Sequence, residues 1–191
     1  DIPVVKKWVG PKGSEVTVRL LAGGADTGKE LKLDADNNWS GAFSGLPKYD
    51  HGREIVYTVK EYPVPNYDSA VEGDAASGFT ITNTNTETVK VPVEKKWIGP
   101  KGSEVTVRLF ADGKDAGKEL KLDEGNGWKG SFDGLPKYNA DGTEIAYSVT
   151  EAEVSGVDSS KYGTAVEGDA ASGFTITNTN KETVDVSGTK S

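Results

Sequence analysis

Two long stretches of this chain are near copies of one another, and that limits its fold more than any other feature. KKWVGPKGSEVTVRL from Lys6 returns as KKWIGPKGSEVTVRL from Lys95, and VEGDAASGFTITNTN closes one copy at Asn85 and the other at Asn180. GKELKLD recurs at Gly28 and Gly117, and GLPKY at Gly45 and Gly134. The offset is 89 residues from Trp8 to Trp97, 90 from Glu54 to Glu144 and 95 from Asn83 to Asn178. The insertions fall in KYDHGRE against KYNADGTE and in EYPVPNYDS against EAEVSGVDSSKYGT, where turns are expected and length is tolerated. A period of about 90 residues is too long for a solenoid unit and right for one small domain. The expected division is residues 1–87, residues 88–184, and residues 185–191 as the start of a truncated third repeat whose lysine is Lys190.

Each copy reads as short strands broken by Gly, Pro, Asn and Asp turns: VVKKWVG, EVTVRLLA, KELKL, NWSGAFS, EIVYTVKEY and GFTITNTN. No segment has the 3.6-residue periodicity of an amphipathic helix. The pattern predicts an all-β chain of two tandem immunoglobulin-like β-sandwich domains. The joint NTETVKVPVEKKW is short, lacks a Gly/Ser run and contains Pro92, so a rod is expected rather than beads on a loose string.

Composition removes several function classes. The net charge of −8 argues against nucleic acid and anionic membrane as partners, and no apolar run approaches the length of a membrane span. With no cysteine there is neither a disulfide nor a thiolate metal site, and the single histidine, His51 in KYDHGRE, has no companions for a metal site or a triad. Methionine is absent, so the chain is expected to be a piece of a longer protein. No cofactor or metal is expected.

Period-two alternation sets three polar residues among large apolar ones. Phe79, Ile81 and Asn83 share a face; so do Val4, Lys6 and Trp8, and so do Tyr57, Val59 and Glu61. The second copy repeats this with Asn178, with Val93, Lys95 and Trp97, and with Tyr147, Val149 and Glu151. Singly, each has an ordinary reading. A lysine beside a tryptophan lays its stem on the ring and keeps its ammonium in water, a strand-end glutamate is solvated, and an inward asparagine satisfies backbone groups. Lys7 and Lys96, on the opposite face, fit that reading. Together the three suggest chemistry. Burial favours the neutral amine of a lysine and the protonated form of a carboxyl. A neutral amine is a nucleophile, and a carboxamide carbon is an electrophile once its oxygen is polarised. The acid can donate to that oxygen and shuttle protons as ammonia leaves. The product is an amide joining two side chains, an intramolecular isopeptide bond, with proximity supplying the effective concentration.

KKW near the start, LPKY in the middle, YTVKE and the closing ITNT together resemble the B-type repeat domains of the collagen adhesin of Gram-positive bacteria, the CnaB-like domains. The resemblance covers nearly the whole chain, twice. It implies compact β-sandwiches of a cell-wall-anchored adhesin or pilin, many of which form a spontaneous bond from a first-strand lysine to a last-strand Asn or Asp, assisted by an acidic residue. Carried over by position, the bonded pairs are Lys6 with Asn83 and Lys95 with Asn178, and the assisting acids are Glu61 and Glu151. The departure comes after the tryptophan, where many relatives have an acidic stretch and this chain has VGPKG or IGPKG. The implied setting is extracellular, on the cell wall. The implied partners are neighbouring repeats of the parent chain and a host extracellular-matrix ligand held through another domain, with the chain itself a monomer.

Two other motifs lead elsewhere. GLPKY is similar to a sortase signal but has Lys48 and Tyr49 where Thr and Gly are required, and reads as a turn into the next strand. DADNNW from Asp34 opens like a calcium loop but lacks its glycine and closing glutamate, and reads as a hairpin turn. The functional expectation is a structural stalk segment whose only chemistry is single-turnover crosslinking, not an enzyme. The alternative is a module binding a host protein or glycan, for which Tyr67 and Tyr162 would be loop-borne candidates.

Overall fold

The computed structural model describes residues 1–190 and is almost entirely β-structure; Ser191, the last residue of the expected third repeat, lies outside the described residues. By compactness the chain forms two units, Asp1–Glu87 with Pro136–Glu144, and Thr88–Leu135 with Ile145–Ser191. The first holds β1 (Ile2–Val9), β2 (Glu15–Ala22), β3 (Ala25–Asp34), β4 (Ser40–Phe43), β5 (Tyr49–Asp50), β6 (Arg53–Glu54), β7 (Tyr57–Glu61), β8 (Tyr67–Asp74) and β9 (Gly78–Asn85). The second half of the chain continues with β10 (Thr88–Ile98), β11 (Glu104–Ala111), β12 (Lys114–Asp123), β13 (Lys129–Pro136), β14 (Tyr147–Ser155), β15 (Tyr162–Asp169) and β16 (Gly173–Asn180). A 3₁₀ turn at Ser159–Lys161 precedes β15. Residues 181–190, including Lys190, form no strand and are exposed throughout.

Each unit is a sandwich of a four-stranded and a three-stranded sheet: β4-β1-β9-β8 over β3-β2-β7, and β13-β10-β16-β15 over β12-β11-β14. Alternation makes the core. On β2, Val16, Val18 and Leu20 point inward; from the opposite sheet come Ile2, Val4, Phe43, Phe79 and Ile81, and Leu33, Tyr57 and Val59 complete the layer. The second core repeats the set with Val91, Val93, Val105, Val107, Leu109, Leu122, Phe132, Tyr147, Val149, Phe174 and Ile176.

The first and last strands of each unit are neighbours and run parallel. Val4 pairs with Phe79, Lys6 with Ile81 and Trp8 with Asn83; in the second unit Val93, Lys95 and Trp97 pair with Phe174, Ile176 and Asn178. Because the two strands are parallel, the chain enters each sandwich at one end and leaves it at the other.

Three expectations are corrected. The DADNNW segment is no hairpin turn: β3 and β4 belong to different sheets, so it carries the chain across the sandwich. Asp34 Oδ1 there accepts from the amides of Asp36 and Asn37, which organises the turn. The stretch from Tyr67 and the stretch from Tyr162 are not loops but edge strands, β8 and β15, each pairing with the closing strand beside it. Tyr162 is buried and Tyr67 half-buried, so neither is a tyrosine offered to a ligand.

Candidate functional site

The lysine, glutamate and asparagine of each unit are brought together inside its sandwich. Lys6 follows Ile2 and Val4 on the inward face of β1, Asn83 follows Phe79 and Ile81 on the inward face of β9, and Glu61 ends β7 in the facing sheet. The register that pairs Lys6 with Ile81 sets Asn83 one inward position further along, diagonal to Lys6. In the first unit Lys6, Glu61 and Asn83 are buried, at 4%, 7% and 1% exposure respectively. Lys7 and Lys96 lie on the outer face and are exposed.

Glu61 links the other two. Lys6 Nζ donates to its Oε2 at 3.0 Å, and Asn83 Nδ2 donates to its Oε1 at 2.9 Å. In the second unit Lys95 Nζ is 2.7 Å from Glu151 Oε2, a close ion pair whose angles are poor for a hydrogen bond, and Asn178 Nδ2 donates to Oε1 at 2.8 Å. The carboxamide oxygens, Asn83 Oδ1 and Asn178 Oδ1, are buried without a hydrogen-bond donor among the described residues. Burial is the leading influence on both lysines and pushes their pKa below the ordinary lysine value, while the facing carboxylate, Glu61 or Glu151, opposes the shift without cancelling it.

An aromatic wall keeps the site dry. Lys6 Nζ lies 4.6 Å from the Trp8 ring centroid, and Trp8 meets Trp39 and Tyr67 edge-on at 5.3 and 5.2 Å. Lys95, Trp97, Trp128 and Tyr162 repeat the arrangement. Trp39 and Trp128 reach it from left-handed backbone, φ 56° and 61°, a conformation that a bulky residue adopts only at a cost. Their carbonyls accept from the amides of Lys6 and Lys95 at 2.8 Å, fixing the lysine backbone to the wall. The VGPKG loop covers the tryptophan: a Cβ on Gly13 would stand 2.9 Å from the Trp8 ring, so only glycine lets the loop lie flat there. The Tyr67 hydroxyl donates to the carbonyl of Pro11, and that of Tyr162 to the carbonyl of Pro100 at 2.6 Å, pinning the cover at its start.

The alternation of β1, β7 and β9 was enough to single out the trio. It missed Tyr67 and Ser69, because Pro63, Pro65 and Asn66 make the run before them read as a turn. The signal that could have found them is the alternation of Tyr67, Ser69 and Val71 within β8.

The model for the Cna protein B-type domain matches this chain twice, over residues 2–84 and 91–179. The chain belongs to this family. Among relatives of these B-type domains, a collagen adhesin of Staphylococcus aureus is 35% identical over 190 residues, which is 95% of this chain and 15% of the adhesin. The chain thus spans only a small part of that relative's length. Of solved structures, a single B repeat unit of the collagen binding surface protein of Staphylococcus aureus is 31% identical, covers 94% of this chain and 97% of its own, and gives a TM-score of 0.45. The pilus adhesin SpaC from Lactobacillus rhamnosus GG in its open conformation is 14% identical over 94% of this chain and 28% of its own, at a TM-score of 0.36.

Proposed function

We propose that each B-type domain of this chain forms an internal isopeptide bond, Lys6 to Asn83 and Lys95 to Asn178, and that the pair serves as a crosslinked stalk segment of an extracellular, cell-wall-attached surface protein. The observation that carries the reading is a buried amine and a buried carboxamide held by the two oxygens of one carboxyl group, in both units. Transfer of a proton from Lys6 to Glu61 leaves a neutral amine, the form that burial favours. Once protonated, Glu61 can donate to the carboxamide oxygen after the amide turns over about its Cβ–Cγ bond, which would supply the donor that Oδ1 lacks. The amine nitrogen attacks Cγ of Asn83, the bond from Cγ to Nδ2 breaks, and the second lysine proton passes through Glu61 to the departing nitrogen. One amide is made, and the departing nitrogen leaves as ammonium carrying both protons that the lysine gave up, so that Glu61 is a carboxylate again as at the start.

The stalk reading is supported by the tandem arrangement and by first and last strands that lie side by side, so that a bond between them spans the unit. Similarity to a collagen adhesin fits a surface setting, in which a matrix ligand would be bound by another domain of the parent. Intact mass tests the chemistry directly. The purified chain is expected to weigh about 34 Da less than its sequence, two molecules of ammonia; a mass equal to the plain sequence would remove the proposal.

A further inference from the structure

A fourth polar side chain touches the trio in each unit. Ser69 lies on edge strand β8 directly opposite Asn83, and its hydroxyl donates to Glu61 Oε2 at 3.1 Å, the same oxygen that faces Lys6. Thr164 on β15 is opposite Asn178, and its hydroxyl reaches Glu151 Oε1 at 3.5 Å. The segments around them differ: YDSAV in one unit is YGTAV in the other, so an aspartate becomes a glycine while a hydroxyl is kept. Both residues are exposed on the edge strand, whereas the carboxyl each touches is buried.

We infer that Ser69 and Thr164 are positioning residues for isopeptide formation, an inference that rests on the crosslinking proposed above. Glu61 must change protonation state twice while its two oxygens stay aligned with an amine on one strand and a carboxamide on the next. The Lys6 and Asn83 contacts cannot hold it through this sequence, because both are exchanged during it. The contact to Ser69 survives, since its hydroxyl donates to Oε2 of the carboxylate and still donates to Oε2 as the carbonyl oxygen of the acid when Oε1 carries the proton toward Asn83. Ser69 therefore anchors the carboxyl from the edge strand while the proton moves, and its exposed position gives the buried acid a hydrogen-bonded connection to the surface. The longer contact in the second unit makes Thr164 the weaker anchor.

The test isolates one unit at a time. An Asn178→Ala chain can react only in its first unit. Made by cell-free synthesis and collected in denaturant, it is unreacted until dilution starts folding; tryptophan fluorescence then follows folding, and intact mass follows ammonia loss. Adding Ser69→Ala is expected to slow the loss about tenfold, the worth of one hydrogen bond to a charged group, without slowing folding. Ser69→Thr, which restores the hydroxyl in its second-unit form, is expected to recover the parent rate to within about threefold. Asp68→Gly, on the same strand and natural at that position in the second unit, serves as a control and is expected to change nothing. A Ser69→Ala rate equal to the parent's overturns the inference, and so does Ser69→Thr as slow as Ser69→Ala, which would point to packing rather than the hydroxyl. If Ser69→Ala fails to fold, Thr164→Ala in an Asn83→Ala chain carries the same test, with a smaller slowing expected and an unchanged rate overturning the inference. No ammonia loss from the Asn178→Ala parent removes the crosslinking reading and this inference with it, whereas loss from the parent alongside an equal rate in Ser69→Ala removes only this inference.

Discussion

Lys6 and Glu61 come from opposite sheets of the first sandwich and meet at 3.0 Å in its core, their side chains 0% and 2% exposed. A pair this dry is poor value as a stabilising ion pair, because desolvating two charges offsets most of their attraction. It makes more sense as a reactant pair, since the bond proposed here consumes the lysine charge and leaves a neutral amide in its place. Glu61→Gln keeps the shape of the side chain but cannot take up the lysine proton. This variant is expected to fold and to lose only one ammonia, from the second unit, so that its mass falls short of the sequence by about 17 Da rather than about 34 Da. Loss of both at the parent rate would transfer the role to another group.

The crosslink would also stabilise the fold. It closes most of the first unit into a covalent loop, for which the chain-entropy argument used for disulfides gives about 4 to 5 kcal/mol. Asn83→Ala is therefore expected to lower the unfolding midpoint of the first unit markedly and to leave that of the second nearly unchanged. Lys6→Ala also removes the lysine nitrogen from the face of the Trp8 ring, so Asn83→Ala is the cleaner probe. Midpoints in urea unchanged in both variants would mean that no bond was present.

Where the bond cannot form, Lys6 remains titratable and stability acquires a definite pH dependence. Burial depresses the Lys6 pKa in the folded chain, so the folded state sheds its proton at lower pH than the unfolded chain does. Between the two values the unfolded state binds more protons, and stability rises with pH across that window. The first unit of an Asn83→Ala chain is thus expected to gain stability as pH rises toward the ordinary lysine range, relative to an Asn83→Ala, Lys6→Ala chain. Urea unfolding of the two at neutral and alkaline pH measures it; equal slopes would mean that Lys6 titrates normally.

Much of this was legible in the residues, and the unread part has physical causes. Period-two alternation found the inward faces of β1, β7 and β9 because each carries apolar residues on the same face as its polar one: Val4 with Lys6, Val59 with Glu61, Ile81 with Asn83. β8 escaped because Pro63, Pro65 and Asn66 make the run into it read as a turn, and because it is an edge strand exposed from Asp68 to Asp74, where the alternation of Tyr67, Ser69 and Val71 is not reinforced by a buried apolar face. The partition of strands between sheets escaped too, since the Asp34 to Trp39 turn has hairpin residues yet crosses the sandwich. Side-chain alternation reports which face is buried, not which sheet a strand joins. The role of Gly13 escaped as well, since only packing reveals its flat seat on the Trp8 ring.

The mechanical consequence follows from the parallel pairing of first and last strands. Tension on the chain enters the first unit on β1 and leaves on β9, which lie side by side in register from Val4 with Phe79 to Val9 with Thr84. Without a covalent link, those strands must shear past one another before the unit unravels, and the freed chain between Lys6 and Asn83 then adds roughly 25 nm at full extension. With the link, load passes from Lys6 directly to Asn83, and residues 7–82 carry almost none of it. The second unit repeats the geometry with Lys95 and Asn178 on β10 and β16. Stretching single molecules from end to end is therefore expected to show no long unfolding step in the native chain. Asn83→Ala is expected to restore one such step, and Asn83→Ala with Asn178→Ala to restore two. Long steps in the native chain would show that its units extend under load, and a stalk segment built on these bonds would have to be given up.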